Sequence, residues 1–482
     1  MASKVKKNYL YNLFYQILLV IVPIVTTPYV SRILGSEKIG IYSFTFSIVT
    51  YFTLVGSLGV GMYGRREIAR YQDDVKKRTE AFWQINIIKW ITIALSLLVF
   101  YFACVKNTEY GYIYAIMIIE IISGAFDISW YFQGLENFKT ITIRNTIIKL
   151  ISVASIFVFV KSANDLWIYV LIHVLGDLLG NMSLWVILPK YINKALPKVK
   201  NTRKHLVPIL MMFLPQVAIQ VYTILDKTML GLLVSDISET GIYEQSQKIV
   251  KITLALVTSL GTVMSPRITS LASKNNTEEI KNELSKSFHL VWLLALPICF
   301  GIIAIAPNIV PWFLGDEFLR AISVMQIGAL LMIAIGLNNV TGVQYLVSVG
   351  KENLFTLSVV IGAISNVIGN LILIPLLGAN GAIISSVLAE TIIFIAQLVM
   401  IKHVITTKTI LKDIIKPLIA TTAMFAVAYL LSINLAPNII ATAIIGTAGV
   451  LTYGVVCLII RESWVIDYKN KALKTISKKV TK

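Results

Sequence analysis

A chain of 482 residues that is 56% hydrophobic and only 14% charged is too apolar for a soluble globular protein, in which about 25% of residues are charged. Its net charge of +18 would suit a nucleic-acid binder, but the basic residues are distributed as topology signals, and no nucleic-acid partner is expected. Cys104, Cys299 and Cys457 all lie inside apolar runs, so neither a disulfide framework nor a metal site is expected.

A bilayer core about 30 Å thick is crossed by about 20 apolar residues of helix. Only helices or closed barrels carry a backbone through lipid with its polar groups paired. Such stretches are predicted in chain order over 10–33, 40–63, 82–104, 111–133, 143–161, 166–188, 206–233, 240–265, 286–306, 320–348, 353–376, 378–403, 411–433 and 437–460. The fold class is therefore an all-α polytopic membrane protein of about 14 transmembrane helices. Lys4, Lys6 and Lys7 precede the first stretch and no small-residue cleavage site follows, so it is expected to be an uncleaved span. Gly35-Ser36-Glu37-Lys38 and Gly378-Ala379-Asn380-Gly381 are examples of the turns between spans.

Lys and Arg divide unevenly between alternate loops. The side that carries both termini and loops 64–81 and 189–205 has 32 of them. The other side has only Arg32, Lys38, Lys106, Lys161 and Arg320. This is a positive-inside pattern, and it predicts that both termini are cytoplasmic.

The first six spans resemble the next six. Gly40-Ile41-Tyr42 enters span 2 and Gly241-Ile242-Tyr243 enters span 8, and the same offset aligns Arg66 with Arg267. Gly134-Leu135-Glu136-Asn137 follows span 4 and Gly350-Lys351-Glu352-Asn353 follows span 10. Val174-Leu175-Gly176-Asp177 in span 6 matches Val387-Leu388-Ala389-Glu390 in span 12. Six is an even number of spans, so the repeats are parallel, a plan common among secondary transporters. The predicted domains are an N-lobe (1–200), a C-lobe (201–405), and two further spans with a basic cytoplasmic tail (406–482).

An ionisable group at the bilayer centre costs roughly 2.5–3.5 kcal/mol on insertion scales. The spans nevertheless hold Lys89, Glu120, Asp127, Lys149, Asp177, Asp226, Lys227, Glu244, Lys248, Lys251 and Glu390. Lys149 and Glu244 are expected near span ends, where they can snorkel; the others call for a wet interior. Glu244, Lys248 and Lys251 form one helical stripe in span 8, as do Gln216, Gln220, Thr223 and Lys227 in span 7 and Asn8, Asn12 and Gln16 in span 1. Such stripes line an aqueous path or hydrogen-bond packed helices to each other. Pro23 and Pro28 in span 1 and Pro208 and Pro215 in span 7 occupy matching places in the repeat, and kinks at such places point to a transporter's hinge or to a static bend. No Walker A, HExxH or CxxC pattern is present. His173 precedes Asp177 by one helical turn, which fits a proton relay or simple packing.

The segment from Thr27 to Gly35, Gly40-Ile41-Tyr42, Gly61-Met62-Tyr63-Gly64-Arg65-Arg66-Glu67-Ile68-Ala69-Arg70, and Asp127-Ile128-Ser129-Trp130-Tyr131-Phe132-Gln133-Gly134-Leu135-Glu136-Asn137 resemble the Wzx-type oligosaccharide flippases. These belong to the polysaccharide-exporter branch of the superfamily that includes multidrug antiporters and lipid II flippases. The resemblance covers essentially the whole chain.

It implies two six-helix lobes in a V around a central cavity, with two extra C-terminal helices. It implies as substrate an undecaprenyl-pyrophosphate-linked oligosaccharide, moved from the cytoplasmic to the outer leaflet of a bacterial cytoplasmic membrane by alternating access. The product would be a capsule, exopolysaccharide or teichoic-acid-type polymer. Lys89, Lys227, Lys248, Lys251 and Arg32, with Gln16, Gln216 and Gln220, are the expected lining of the substrate cavity, since basic groups at low dielectric compensate a pyrophosphate well. Tyr42, Tyr51, Trp83, Trp90 and Trp130 are candidates to stack on sugars or to pack. Asp127, Asp177, Glu120, Asp226 and Glu390 are candidates for coupling to Na⁺ or H⁺, with no other cofactor expected. Pro23, Pro28, Pro215, Arg66 and Arg267 are candidate hinges and gates. Expected partners are membrane lipids and, beyond them, a glycan polymerase and chain-length machinery. A multidrug or cation antiporter of the same fold is the alternative. A glycan polymerase or ligase fits less well, because no outer loop is large enough to hold paired catalytic carboxylates.

Overall fold

A computed structural model describes residues 2–106, 108–193, 202–463 and 466, except for side chains 2–15, 214–216, 218–219, 221–222, 260, 262–263 and 408. Its helices are α1 (Ala2–Ser57), α2 (Val60–Arg70), α3 (Val75–Phe100), α4 (Gly111–Phe126), α5 (Ser129–Gly134), α6 (Phe138–Phe159), α7 (Leu166–Ile187), α8 (Leu206–Leu233) and α9 (Ser238–Ala272). They continue as α10 (Thr277–Phe313), α11 (Ala321–Gly328), α12 (Leu331–Asn338), α13 (Glu352–Leu377), α14 (Ala379–Met400), α15 (Thr407–Leu411), α16 (Ile415–Asn434) and α17 (Ile439–Ile459). Among the described residues there is no strand.

Twelve helical segments of the described residues are long and apolar enough to cross a membrane. The first, Gln16–Arg70, contains two predicted spans. They are divided inside α1 at Gly35, whose φ of 74° and ψ of 174° break the helix. A positive φ is open to glycine at little steric cost. α8, which is not among the twelve, covers the predicted seventh span, so each of the 14 predicted stretches lies in a helix. The helix runs on through Pro23 and Pro28, so the interruption in this region is at the glycine and not at the prolines.

The fourth span of each repeat is broken in a way the apolar pattern did not show. α4 ends at Phe126 and α5 starts at Ser129. In the second repeat α12 passes into a nine-residue π-helix, Asn339–Val347.

By contact the chain divides into two compact units, Met1–Gly241 and Ile242–Lys482. In the first, α7 packs on α4 and α6; in the second, α14 packs on α11, α12 and α13. Spans four, five and six of each repeat thus pair alike. Leucine, isoleucine and valine side chains such as Leu150, Val186, Leu376 and Val450 are exposed on helix exteriors, as suits helices solvated by lipid.

Two glycines of the repeat motifs meet. A Cβ on Gly40 would overlap the Ile237 carbonyl, and a Cβ on Gly241 would overlap the Ser36 carbonyl. All four residues belong to the first unit.

The other motif segments build one end of this unit. A Cβ on Gly64 would overlap the Trp130 ring, and one on Gly134 would crowd Ile68 and the Arg65 carbonyl. α2 can therefore lie directly on α5. Trp130, Tyr131 and Phe132 are buried there with Tyr63, Ile68 and Phe82. Tyr131 Oη donates to the Tyr191 carbonyl at 2.9 Å, and Arg78 Nη2 donates to the same oxygen at 2.8 Å. Asp74 caps α3 by accepting from the Lys77 amide at 3.0 Å, which holds its carboxyl below the usual carboxylate range.

His205 fastens the segment that leads into α8. It is 1% exposed. Its Nδ1 lies 2.7 Å from Tyr63 Oη and its Nε2 lies 2.8 Å from Gln84 Oε1. Burial, reinforced by the Lys204 charge, lowers its pKa from 6.5 to about 4. The neutral ring then accepts from the tyrosine and donates to the glutamine. A histidine with a depressed folded pKa stabilises the fold above its unfolded pKa and loses that contribution as pH falls towards the folded value. We expect wild-type thermal stability to decline between pH 6.5 and about 4, and His205→Gln to flatten that decline. Equal pH slopes for the two proteins would exclude His205 as the titrating group.

In the second unit, Glu283 of α10 accepts from Arg267 Nη2 at 2.9 Å and Lys286 Nζ at 2.8 Å. His289 Nε2 meets the fully buried Glu462 at 2.6 Å, and its Nδ1 lies 3.5 Å from Asp413. Trp292 donates to the Ile410 carbonyl at 2.8 Å, and Asn308 to the Leu435 carbonyl at 3.0 Å. These bonds fasten the flanks of α16 and α17 to α10.

Candidate functional site

Among the described residues, a polar site in the membrane-spanning part is a cavity of about 250 Å³ in the first unit, between α6 and α7. Arg144, Asn145, Lys149 and Ser152 line it from α6, and His173, Asp177 and Asn181 from α7. Each set repeats at about one helical turn, so each helix presents one face. Lys149 and Asp177 lie near the middle of their 22-residue helices. The structure therefore corrects the expectation that Lys149 sits near a span end.

Asn181 organises one end of the cavity. Its Oδ1 accepts from Arg144 Nη1 at 2.8 Å, and its Nδ2 donates to Ser123 Oγ at 2.9 Å. Asp177 is exposed within the cavity and feels the positive charges of Lys149 and Arg144. Glu120 on α4 stands close enough to Asp177 for repulsion, and its Oε2 is buried with no hydrogen-bond partner. Two cations and one carboxylate thus line one pocket, with a second carboxylate, Glu120, close to Asp177. His173 forms an aromatic wall, backed by the rings of Tyr42 at 5.7 Å and Tyr169 at 4.7 Å.

The expected cavity residues have different places. Lys89 is 2% exposed, and its Nζ donates to the Asp127 carbonyl at 2.6 Å. Its ammonium is turned into the protein, under the α4–α5 break. Asp127 Oδ1 accepts from the Ser129 amide at 2.9 Å and so shapes the start of α5. Lys248 pairs with Glu244 at 3.5 Å along α9, and Lys251 lies exposed one turn on. Lys227 is half-buried beside the buried Asp226 on α8. Arg32, Gln16 and Gln220 are exposed, and the side chains of Pro215 and Gln216 lie outside the described residues. Glu390 accepts from Asn338 Nδ2 in the second unit, where Thr341, Gln397 and Ser358 form a neighbouring hydrogen-bonded chain. Arg66 is exposed; Arg267 meets the acidic partner Glu283.

The aromatic candidates are committed to packing. Trp130 stacks on Phe82 with centroids 5.7 Å apart. Trp90 stacks on Trp185 at 5.8 Å and donates to the Ala125 carbonyl, and Trp83 leans on both of those rings. Tyr51 hydrogen-bonds Thr228 at 3.0 Å.

Arg144, Asn145, Ser152 and Asn181 were missed as site residues. Arg144 falls at the boundary between a predicted basic loop and its span. Its spacing to Ser152, matched by that of His173 to Asn181, is the signal that would have found the pair of faces.

A helical bundle that spans the membrane many times, repeats its pairings and opens a charged pocket at mid-helix depth has the build of a transporter. The chain belongs to the polysaccharide biosynthesis protein family, whose model matches residues 5–272; a MatE model matches residues 208–372. It is similar to a putative O-antigen transporter of Shigella dysenteriae, 26% identical over 388 residues, or 79% of this chain and 96% of the relative. A putative O-antigen transporter of Escherichia coli K12 is 23% identical over 389 residues, or 80% of this chain and 93% of the relative. Among solved structures, the lipid II flippase MurJ in an inward closed conformation has a TM-score of 0.78 at 16% identity, covering 95% of this chain and all of that one. An inward-facing multidrug resistance MATE family transporter has a TM-score of 0.62 at 12% identity, covering 80% of this chain and 95% of that one.

Proposed function

We propose that the protein is a flippase that carries undecaprenyl-pyrophosphate-linked oligosaccharide from the cytoplasmic to the outer leaflet of a bacterial cytoplasmic membrane. The reading rests on the mid-membrane pocket that α6 and α7 build from Arg144, Lys149, Asp177 and Asn181. A charged pocket at that depth is costly for a purely structural bundle and suits polar cargo crossing lipid. The family and the relatives named O-antigen transporters favour a glycan as that cargo. They also favour a transporter over a polymerase or ligase.

In this reading the lobes are 1–200 and 201–405, and they rock in alternating access, with α16 and α17 fastened to the second. Both termini are cytoplasmic by the positive-inside count. Lys227, Lys248 and Lys251 attract the pyrophosphate. Glu120 and Asp177, with Asp127, Asp226 and Glu390 as further candidates, exchange H⁺ or Na⁺. The flipped units feed a glycan polymerase and chain-length machinery for capsule, exopolysaccharide or a teichoic-acid-type polymer.

The match to the MatE model keeps one second reading, a multidrug cation antiporter. Proteoliposomes separate the two. Fluorescent undecaprenyl-pyrophosphate-linked oligosaccharide should become accessible to a membrane-impermeant quencher faster with the protein than without it, while ethidium efflux driven by a cation gradient stays at background. Ethidium efflux without lipid movement would establish the antiporter.

A further inference from the structure

The charge and donor count of the α6–α7 cavity separate the parts of the proposed cargo. A pyrophosphate is an accept-only polyanion, so its seat needs hydrogen-bond donors and net positive charge. The lining of this cavity carries two cations, Arg144 and Lys149, and one carboxylate, Asp177, which is exposed in it, while Glu120 stands outside the lining near Asp177. The net of one positive charge falls short of what a pyrophosphate polyanion needs. A phosphate oxygen beside Asp177 would meet a second acceptor and a like charge. A sugar hydroxyl faces neither problem, because it donates and accepts at once. It can donate to Asp177 while accepting from Arg144 or Lys149, with Asn145 and Ser152 offering both roles.

Size and shape agree. A volume of about 250 Å³ lies below the roughly 300–1,000 Å³ of pockets that take a drug-sized ligand. One ring fits it better than a whole repeat unit does. His173, held by Tyr42 and Tyr169, adds an aromatic ring to the cavity lining, a group that packs well against the C–H side of a sugar. Gly176 and Gly180 both line the cavity, where a larger side chain would take up space.

Resting on the flippase reading, we infer that the cavity between α6 and α7 is the subsite for a single neutral or zwitterionic sugar ring of the cargo and not the seat of its pyrophosphate. The cavity thereby helps select which glycan is carried.

The full-length protein in nanodiscs tests this with two probes, undecaprenyl pyrophosphate and undecaprenyl-pyrophosphate-linked N-acetylglucosamine, their binding read by native mass spectrometry. Wild type should bind the glycosylated lipid more tightly. Loss of one charge-assisted hydrogen bond in Asp177→Asn should weaken the glycosylated lipid about 10-fold or more and leave undecaprenyl pyrophosphate unchanged. Gly180→Ala keeps every charge, and its Cβ meets nothing closer than 3.5 Å. It should fold normally and give a smaller loss in the same direction. Variants that weaken both lipids equally would make this the pyrophosphate seat, and variants that weaken neither would make the cavity idle; either result overturns the inference. Wild type that binds neither lipid overturns the flippase reading, and this inference with it.

Discussion

Gly40→Ala and Gly241→Ala should each remove nearly all export and lower the thermal midpoint by several degrees, while the protein still enters the membrane. In most helix interiors an alanine is worth up to about 1 kcal/mol over glycine, so the expected sign is opposite to that of the intrinsic preference. The reason is the neighbour. Each added methyl would overlap a main-chain carbonyl, that of Ile237 or that of Ser36. A flexible side chain can swing away, but these two carbonyls, one in the turn that opens α9 and one in α1, are main chain and cannot move without shifting the helices they join. Overpacking costs typically 1–3 kcal/mol, and a backbone obstacle puts these two at the top of that range. Gly61→Ala is the control, because a Cβ there meets nothing within 4 Å. Thermal unfolding in detergent, followed by fluorescence-detected size exclusion, and export in cells are the two readouts. If Gly40→Ala behaves like Gly61→Ala in both, the close approach is not a constraint on the fold.

These two glycines show how far the sequence was legible. As motif letters, Gly40-Ile41-Tyr42 and Gly241-Ile242-Tyr243 revealed the repeat and its offset. They did not reveal that the paired glycines crowd each other's neighbouring backbone, because a one-dimensional repeat carries no distance. The spans were readable for a plain physical reason: lipid demands about 20 apolar residues per crossing, and nothing else in the chain imitates that. The break between α4 and α5 was not readable. Asp127 and Ile128 interrupt a stretch whose average apolarity stays high, and only the Asp127 side chain, accepting from the Ser129 amide, ends one helix and starts the next.

The site was legible in part. His173 and Asp177 were seen to share a face, and Glu120 and Asp177 were singled out as intramembrane acids. Their basic partners were not, because Arg144 looked like a loop residue and Lys149 like a snorkelling one. Knowing that α6 lies along α7 is what joins the two faces into a pocket, and that pairing is tertiary. The motif aromatics were misread in the opposite direction. Trp130 and Trp90 have the chemistry to stack on sugars, yet Phe82 and Trp185 already occupy their faces. The motif around Gly64 and Trp130 encodes a packed cap of α2 on α5, which gives its residues a packing role without giving them a ligand.

Lys89→Met should be among the most damaging single substitutions in the chain, and its damage should appear as lost folded protein before it appears as lost transport. Lys89 is 2% exposed, and its ammonium donates to the Asp127 carbonyl at 2.6 Å and is attracted by the Asp127 charge. The two charges make no ion pair within 4 Å, and Asp127 is half-buried. The direct loss is therefore the ammonium's bond to the carbonyl, whose buried oxygen left unpaired costs about 1–3 kcal/mol, with the longer-range attraction to the Asp127 charge added to it. Replacing both with neutral groups leaves no orphan charge. Lys89→Met combined with Asp127→Asn should therefore recover part of the folded yield lost by Lys89→Met alone, giving a coupling energy of about 1–3 kcal/mol in a double-mutant cycle. The amide introduced by Asp127→Asn still offers an oxygen to the Ser129 amide, so the start of α5 would be kept in the double variant. The measurements are the monodisperse fraction after detergent extraction and the thermal midpoint, for wild type, both single variants and the double. Additive losses would show that Lys89 acts through its carbonyl bond alone and that the Asp127 charge is not its partner. A fully folded Lys89→Met that fails only in export would return Lys89 to the substrate path.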